Sequence, residues 1–562
     1  MNKKANKNYI LQLPCDGIAM NVLPKYAKGR DIINYVEGVD FPKNSDGAID
    51  KEKIRNETEY YLSRFLSGTS IGRVFFNVSY TRAATPSKCY DTFAYNVDMD
   101  INGEIRSNKK EYLPLEAKGY PGFRYFSYTL RAGIDLIGYG IDYANRIGIE
   151  PWVSIRMNDH HAPDNPVINA HYRIQYASKW GIGGNANKMD YLVPEVRKVQ
   201  LNYIKELCED YNIAGIELDL LRTNPYMSRV DEDSILCFNT FVKQVKNEIK
   251  KIATKKGCNI KLAVRVFATP EINIKMGLDV AAWVAEGDID IVTVSNFFQP
   301  VSFDLPIKEW KEMIRKKNRK DYPYVILGGL DWGVMSSPLY HLAMNEAYTR
   351  GFVSSVFGNE GDGVYLFNTF NLEGHFATGY KIKEDGDVIE YNNFEARKAA
   401  SDSLSVAESS LRRYTFSYFT TGTDVWNILP VVLNSGEEFI FDMQTGTASE
   451  SGYYMAVIPV DSEDAWLELY LNGVKMRQIA DMRRSPLLPY IPPKENQCNE
   501  VNHITQIGKR VLQFVSSGFS EIKDGRNQIV VKNVGKEKQK LVWFEIFVDG
   551  RKNADPLNYD LI

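Results

Sequence analysis

Two acidic side chains lie two positions apart inside an apolar segment of the chain, "AGIELDLLR". Side chains alternate between the two faces of a β-strand, so Glu217 and Asp219 would share one face and the apolar residues around them the other. Strands buried on both faces normally consist of Val, Ile and Leu, and a buried charge must be paired or it costs several kcal/mol. Two carboxyl groups on one inward face therefore indicate either a chemical site or a set of paired charges.

Neighbouring segments supply charges of opposite sign at equivalent positions. In "PWVSIRMNDHH" the same alternation turns Arg156 and Asn158 inward, and in "KLAVRVF" it turns Arg265 inward. Two arginines could simply neutralise Glu217 and Asp219 in a hydrogen-bonded structural plug. The sequence leaves that explanation open beside a functional one.

A functional explanation is favoured by the polar residues found where these strands end. Arg222 follows the first segment, and a run of Asp159, His160 and His161 follows the second. A fourth segment, "IVTVSN", ends in Asn296. Together with the inward arginines, these residues are candidates for contacts to the hydroxyl groups of a bound sugar.

Hydrolysis of a glycosidic bond needs two carboxyl groups on opposite sides of the scissile bond. Asp219 lies at the strand end and is the better catalytic candidate, whereas Glu217, one layer deeper, is expected to support it. The opposing acid is expected in "VILGGLDWG", which provides Asp331 with Trp332 beside it as a sugar contact. Glu271 in "FATPE" is the alternative. Either residue could instead be an ordinary acid at a helix N-terminus.

The elements that must position these residues alternate between strands and helices. Eight strand segments are predicted, and most of them are separated by helical patterns. They lie at residues 17–23, 73–80, 150–158, 214–220, 261–267, 290–296, 324–330 and 363–368. This repetition predicts an α/β fold, a (β/α)8 TIM barrel with long insertions in the βα loops after the second, third and fourth strands. An open doubly wound sheet is disfavoured because no GxGxxG follows the first strand.

A second domain is predicted after the barrel. From "EEFIFDM" to "LVWFEIFVDG" apolar and polar residues alternate with period two, between turn signals such as Asn472-Gly473. The pattern predicts a jelly-roll-like β-sandwich at residues 416–562, behind a barrel domain at residues 1–415. Two domains also suit a chain of 562 residues, which exceeds the usual size of one hydrophobic core.

The composition is that of an ordinary soluble globular protein, with 44% hydrophobic and 25% charged residues and a net charge of -3. It gives no argument for a nucleic-acid or membrane partner, and no segment has the length of a membrane span. The chain starts without an apolar signal-peptide region, so we expect a cytoplasmic protein, or a periplasmic or secreted one if a leader was removed. Six scattered cysteines without a CxxC pair argue against a disulfide framework or a zinc site, and no cofactor is predicted. The sequence leaves the oligomeric state open.

Four segments resemble bacterial TIM-barrel glycoside hydrolases near the glycosyl-hydrolase-like family 10 proteins. They are "GIEPWVSIRMNDHH", "IAGIELDLLR", "RVFATPEINIKMGLDVAAWV" and "GDGVYLFNTFN", within residues 130–370. The resemblance implies a barrel followed by a sandwich, and a catalytic acid at the end of the fourth strand, which here is Asp219. Ala214 replaces the usual Asp of that strand. Leu221 stands where chitinase-like proteins carry Glu, which excludes substrate-assisted chitinase chemistry.

The sequence thus predicts a glycoside hydrolase acting on a poly- or oligosaccharide. The inward arginines fit an anionic sugar, although they could merely neutralise the two acids. Two alternatives stay open. One is a carbohydrate-binding barrel without catalytic activity, and the other is a metal-dependent hydrolase that uses Asp159, His160 and His161.

Overall fold

The structure is a computed structural model that describes seventeen parts of the chain. They are residues 6–28, 38–113, 121–159, 168–296, 302–331, 333–337, 340–343, 346–368, 379–382, 388–391, 411–417, 428–446, 454–460, 466–482, 510–516, 522–541 and 543–549. All structural statements below concern these residues.

Eight strands form a closed parallel barrel, which confirms the predicted fold class. They are β1 Asn6–Leu13, β2 Ile71–Ser79, β3 Glu150–Arg156, β4 Gly215–Asp219, β5 Lys261–Phe267, β6 Ile291–Ser295, β7 Val325–Leu330 and β8 Gly363–Leu366. Their order around the barrel is their order in the chain, with β8 beside β1. This is the arrangement of a TIM barrel, whose active sites lie at the C-terminal ends of the strands.

At least one helix connects each pair of consecutive strands. The α-helices are α1 Cys15–Val22, α2 Lys51–Leu66, α3 Pro121–Arg131, α4 Leu136–Arg146, α5 His171–Gln175, α6 Ala177–Trp180, α7 Pro194–Asp210, α8 Glu232–Lys256, α9 Pro270–Lys275, α10 Val280–Ala285, α11 Ile307–Lys317 and α12 Glu346–Gly358. The helix that follows β4 shows why these segments are helical. Asp231 and Ser234 form a capping box at the start of α8, and Gly257 ends it with φ +66°.

The first strand differs from the prediction, which placed it at residues 17–23. That segment belongs to α1, and the first strand is the preceding β1. The side chains of α1 that are buried recur at helical rather than alternating positions. They are Cys15, Ile18, Ala19 and Val22. The prediction rested on a short apolar segment, whose length and composition do not distinguish a strand from a helix.

An apolar cluster of buried side chains fills part of the barrel interior. It consists of Ile10, Phe75, Trp152, Ala263, Ile291, Leu327, Tyr365 and Phe367. Phe75 and Trp152 stack with ring centroids 4.8 Å apart, and the edge of Tyr365 meets Phe75 at 5.4 Å. No side chain from β4 belongs to this cluster, and Gly215 of β4 is the register neighbour of Trp152. A Cβ atom at Gly215 would lie 2.3 Å from the Trp152 ring.

Two antiparallel sheets follow the barrel and share an apolar core, as predicted for a sandwich. The first sheet has the order Leu411–Ser417, Trp543–Asp549, Tyr454–Val460, Arg510–Val515 and Arg477–Met482, with Val431–Leu433 and Gln539–Leu541 beside it. The second sheet has the order Glu438–Gln444, Arg526–Asn533, Leu467–Leu471 and Val474–Lys475. The described residues also form four two-stranded sheets. These are Ala27–Lys28 with Gly38–Val39, Tyr95–Met99 with Ile105–Tyr112, Gly333–Ser337 with Tyr340–Ala343, and Gly379–Ile382 with Val388–Tyr391.

The chain divides into two compact units. The first comprises Met1–Val294, Glu309–Leu327 and Tyr365–Asn371, and the second comprises Ser295–Lys308, Gly328–Val364 and Leu372–Ile562. The second unit thus contains α12 as well as the two C-terminal sheets. The domain boundary near residue 415 stays a prediction, since residues 392–410 and 418–427 lie outside the described parts.

Candidate functional site

Three adjacent barrel strands bring opposite charges to the same level. The register pairs Asp219 on β4 with Arg156 on β3 and with Arg265 on β5. All three residues end or nearly end their strands, and their side chains are at most 1% exposed. Strand alternation therefore turns these charges into the barrel interior at its C-terminal end, where TIM barrels bind substrates.

Glu217 lies one layer deeper on the same strand. Its Oε1 atom accepts hydrogen bonds of 2.7 Å from the Ser154 hydroxyl on β3 and the Tyr365 hydroxyl on β8. Because β8 is opposite β4 in the barrel order, the second bond spans the interior. No described residue donates a hydrogen bond to the Oε2 atom, and the side chain is fully buried. Burial, followed by the charge of Asp219, raises the pKa of Glu217 from 4.5 to about 7.

Asp219 has a different environment from Glu217. Nη1 of Arg265 donates to both of its carboxylate oxygens, at 3.2 and 3.1 Å, and the backbone N–H of Leu221 donates to Oδ1 at 3.1 Å. The Arg265 guanidinium in turn lies 3.4 Å from the centre of the Phe367 ring. Asp219 is therefore a buried carboxylate whose charge is paired with an arginine that an aromatic ring supports.

Arg156 pairs with an acid of its own. Its Nη1 donates to Oδ2 of Asp159 at 2.9 Å, both side chains are buried, and its guanidinium lies 4.2 Å from the centre of the Tyr80 ring. No described residue accepts a hydrogen bond from Nε of Arg156. Arg156 thus holds Asp159, the third residue after β3, and its Nε is a buried donor that the described residues leave free.

Arg222 completes what we call the strand-end cluster, defined as Arg156, Asp159, Glu217, Asp219, Arg222 and Arg265. Burial and then the positive charge of Arg156 lower the pKa of Arg222, while Asp159 and Asp219 raise it. The cluster contains three arginines and three acids. With Glu217 protonated, three positive charges face two negative ones.

Two asparagine side chains that were predicted to contact a sugar form hydrogen bonds to backbone groups. The Asn158 side chain donates to the carbonyl of Met189 at 3.2 Å and accepts from its N–H at 3.1 Å. Asn296 donates to the carbonyl of Ser302 at 3.1 Å, and no described residue donates to its Oδ1 atom. Asn158 therefore holds Met189 close to the end of β3, and Asn296 has one buried acceptor that the described residues leave free.

The two candidates for the opposing acid lie in different surroundings. Asp331 is 1% exposed and follows β7 directly. The next described element is the strand Gly333–Ser337 of a hairpin, so the helix N-cap role considered for Asp331 is wrong. Glu271 is exposed in the first turn of α9, where an acid is favoured by the helix dipole.

Some predicted contacts lie outside the described residues. These are His160, His161 and Trp332. Among the described loop aromatics, Tyr172, Trp180 and Tyr226 are at most 4% exposed and pack against other rings. In the described parts of the chain, no group of three or more His, Cys, Asp and Glu side chains is placed to hold a metal ion. No described helix has the length and apolar character needed to cross a membrane.

The sequence prediction missed Tyr365, Tyr80 and Phe367 as parts of the site. Tyr365 and Phe367 belong to the predicted segment 363–368, and their alternation places them on one face, which was the available signal. Their partners on other strands depend on barrel closure, which no local pattern contains. Tyr80 directly follows β2 and carried no comparable signal.

No protein-family model matches the chain, and no curated protein matches it. The expected nearness to the family 10 proteins is therefore not confirmed. The chain has a distant structural likeness to several solved structures. The PgaB (BpsB) glycoside hydrolase domain from Bordetella bronchiseptica aligns at 9% identity over 71% of this chain and 99% of its own, with a TM-score of 0.35. Alpha-L-fucosidase isoenzyme 1 from Paenibacillus thiaminolyticus aligns at 10% identity over 93% and 96%, with a TM-score of 0.33.

The third is a cycloisomaltooligosaccharide glucanotransferase from Paenibacillus sp., at 11% identity and a TM-score of 0.32. The alignment covers 90% of this chain but spans only 56% of the glucanotransferase chain. Because these similarities are low, the chemistry of this protein has to be argued from its own side chains.

Proposed function

We propose that this protein is a glycoside hydrolase that cleaves the glycosidic bonds of a poly- or oligosaccharide at the C-terminal face of its barrel. The observation that carries the proposal is the contrast between Glu217 and Asp219 on one strand. The pKa of Glu217 is raised to about 7, whereas Asp219 is ion-paired with Arg265. Neighbouring titratable groups in contrasting environments are typical of acid–base catalytic sites.

We assign the catalytic roles by position. Asp219, at the C-terminal end of β4, is one catalytic carboxylate, and Glu217 below it is the supporting acid. Asp331 follows β7, three strands further round the barrel order, and is assigned as the opposing carboxylate. Two carboxyl groups facing each other across the scissile bond are what glycoside hydrolysis requires.

The substrate contacts are assigned to residues that end the barrel strands or follow them in the sequence. They are Arg156, Asn158, Asp159, His160, His161, Arg222, Arg265, Asn296 and Trp332. Within this set, Asn158 would act by holding the loop at Met189. The excess of guanidinium groups when Glu217 is protonated suits a sugar that carries a carboxylate or sulfate group.

The test is activity of the purified protein on a panel of neutral, uronate-containing and sulfated glycans, measured by the release of reducing ends. We expect Asp219→Asn and Asp331→Asn to lower kcat by about 100-fold or more, the usual effect of losing an acid or base. Asp142→Asn is the matched control, since Asp142 pairs with Arg55 on the surface, with side chains 56% and 32% exposed. Circular dichroism of each variant separates loss of catalysis from loss of folding.

One observation favours a second candidate, a carbohydrate-binding barrel without catalytic activity. Asp219 is fully buried and already accepts three hydrogen bonds, so it could serve the fold alone. This alternative predicts glycan binding without product, unchanged in a folded Asp219→Asn variant. Turnover by that variant close to the wild-type rate would show that our site assignment is wrong.

A further inference from the structure

Arg173 on α5 is a buried guanidinium with no carboxylate partner in the described parts of the chain. The side chain is 1% exposed, Nε donates to the Tyr172 hydroxyl at 3.2 Å, and Nη2 donates to the carbonyl of Met157 at 3.4 Å. No described residue accepts a hydrogen bond from Nη1. A buried charge of this kind is strongly unfavourable unless an opposite charge accompanies it.

The side chains around Arg173 are phenols. Tyr90, Tyr172 and Tyr191 all lie within electrostatic reach of its guanidinium. Burial raises the pKa of Tyr172 and of Tyr191 above the ordinary value of 10, so neither phenol is negatively charged near neutral pH. The neighbouring rings therefore supply dipoles but no counter-charge.

A second buried donor belongs to the same group. The Tyr90 hydroxyl lies beside that of Tyr172 but has no hydrogen bond of normal geometry to any described residue. The Tyr90 ring is fixed by stacking on Tyr203, with centroids 4.4 Å apart. Arg173 and Tyr90 thus each present one buried donor that no described residue engages.

The carboxylate of Asp91 is engaged elsewhere. Its oxygens accept from the N–H groups of Val97 at 2.7 Å and Tyr172 at 3.2 Å, and its charge acts on the buried guanidinium of Arg82. Asp91 therefore acts on Arg82, and within the described parts of the chain no carboxylate forms an ion pair with Arg173.

We propose that the Arg173 cluster, defined as Tyr90, Tyr172, Arg173 and Tyr191, binds a small monovalent anion of the halide class. Nη1 of Arg173 and the Tyr90 hydroxyl are the donors. A weakly hydrated halide suits full burial among aromatic rings, whereas sulfate has two charges and four oxygens that two donors leave unsatisfied. The proposal is independent of glycoside hydrolysis.

The bound anion would stabilise the loop after β3. The Met157 carbonyl accepts from both Arg173 and the Tyr191 hydroxyl, the latter at 2.7 Å, and Met157 directly follows Arg156 of the strand-end cluster. A bound anion would therefore hold Arg173 in place. Arg173 in turn holds the Met157 carbonyl, which directly follows Arg156 of the strand-end cluster.

The first experiment measures the Tm of the full chain as chloride replaces gluconate at constant ionic strength. Because binding to the folded state alone stabilises it, we expect Tm to rise with the logarithm of chloride concentration above the dissociation constant. Tyr90→Phe keeps the ring and removes one donor, so the rise should shift to higher chloride concentration. Arg173→Gln should abolish it. Arg146→Gln, at a half-exposed arginine paired with Glu59, is the control that should respond like the wild type.

A crystal soaked in bromide provides the second measurement, which does not depend on the folding of any variant. We expect an anomalous peak within hydrogen-bonding distance of Nη1 of Arg173. The proposal is wrong if that peak is missing, or if folded Arg173→Gln gains Tm with chloride as the wild type does.

Discussion

At the scale of single residues, the most informative side chain is Glu217, because it is buried and only one of its oxygens is hydrogen-bonded. Its two donors, Ser154 and Tyr365, favour the ionised form and lower the pKa, but burial and the charge of Asp219 outweigh them. The balance raises the pKa of this carboxyl group to about 7. A pKa near neutral pH would suit the acid–base role proposed above, and it lowers stability once the group ionises.

Glu217 should make the stability of the protein fall as the pH rises. Its pKa is about 7 in the folded protein against an ordinary value of 4.5, so the stabilisation is complete below pH 4.5 and is lost as the pH rises through 7. The difference corresponds to about 3 kcal/mol. Glu217→Gln removes this dependence. The Tm of the variant minus the Tm of the wild type should therefore increase as the pH is raised from 4.5 to 7.

The surface variant Asp142→Asn serves as control, because its pair with Arg55 is exposed and contributes little. Parallel pH profiles of the wild type and Glu217→Gln would refute the raised pKa.

Residue orientation was predictable where it depends on one strand. The inward positions of Arg156, Glu217, Asp219 and Arg265 follow from alternation, which is a local property. The hydrogen bond from Tyr365 to Glu217 joins residues 148 positions apart and required the closed barrel. The roles assigned to these residues stay predictions.

At the scale of elements, β4 depends on Gly215, because no larger side chain fits beside Trp152. A glycine inside a strand normally weakens it, yet Gly215 is needed because the Trp152 ring occupies the space its side chain would fill. Trp152 belongs to the apolar cluster of the barrel interior, and Ser154, two residues further along β3, donates to Glu217. The glycine of "GIELD" therefore leaves room for Trp152 beside the strand that carries both acids.

Gly215→Ala should destabilise the barrel by about 1–3 kcal/mol, the usual cost of overpacking a core. Unfolding in denaturant measures the effect, and Gly38→Ala is the control because an added Cβ there meets nothing within 4 Å. Adding Trp152→Phe to Gly215→Ala should recover part of the loss, since the smaller ring leaves room for the methyl group. Equal effects of the two glycine variants would refute this packing argument.

Element prediction succeeded where strands are bounded by clear helices and failed at the start of the chain. Seven barrel strands lie within or beside their predicted segments, whereas 17–23 is helical. So short a segment is compatible with the periodicity of a strand or of a helix. The choice depends on packing against other helices, which the sequence of one segment does not contain.

At the scale of the whole molecule, α12 links a barrel connection to the C-terminal sheets. The helix is buried along most of its length, and a Cβ at Gly351 would lie 1.9 Å from the Arg413 carbonyl. The Tyr348 hydroxyl donates to Glu545 at 3.2 Å, and Glu545 forms a buried ion pair with Arg413. The sequence showed where alternation begins but not this packing, because α12 and Glu545 are far apart in the chain.

A chain shortened to residues 1–415 should therefore aggregate, because α12 would lose the strand that carries Glu545. Soluble yield and circular dichroism, compared with the full chain, measure the result. In the full chain, Glu545→Gln should lower the free energy of unfolding by about 3–5 kcal/mol, because Arg413 is left buried without its ion-pair partner. Glu468→Gln removes an exposed ion pair with Lys475 of the same unit and should lower the free energy of unfolding by less than about 1 kcal/mol. A folded, soluble 1–415 chain would show that α12 does not need the sheets.

The bond from Tyr365 to Glu217 also has a consequence for folding. Tyr365 lies on β8, the last strand of the barrel, so the buried surroundings of Glu217 exist only after β8 has paired with β1 and closed the barrel. Until then the carboxyl group is hydrated and ionised above pH 4.5. Ring closure between pH 4.5 and 7 is accordingly a proton-uptake step, and the infrared carboxyl band of Glu217 would time the closure of the barrel.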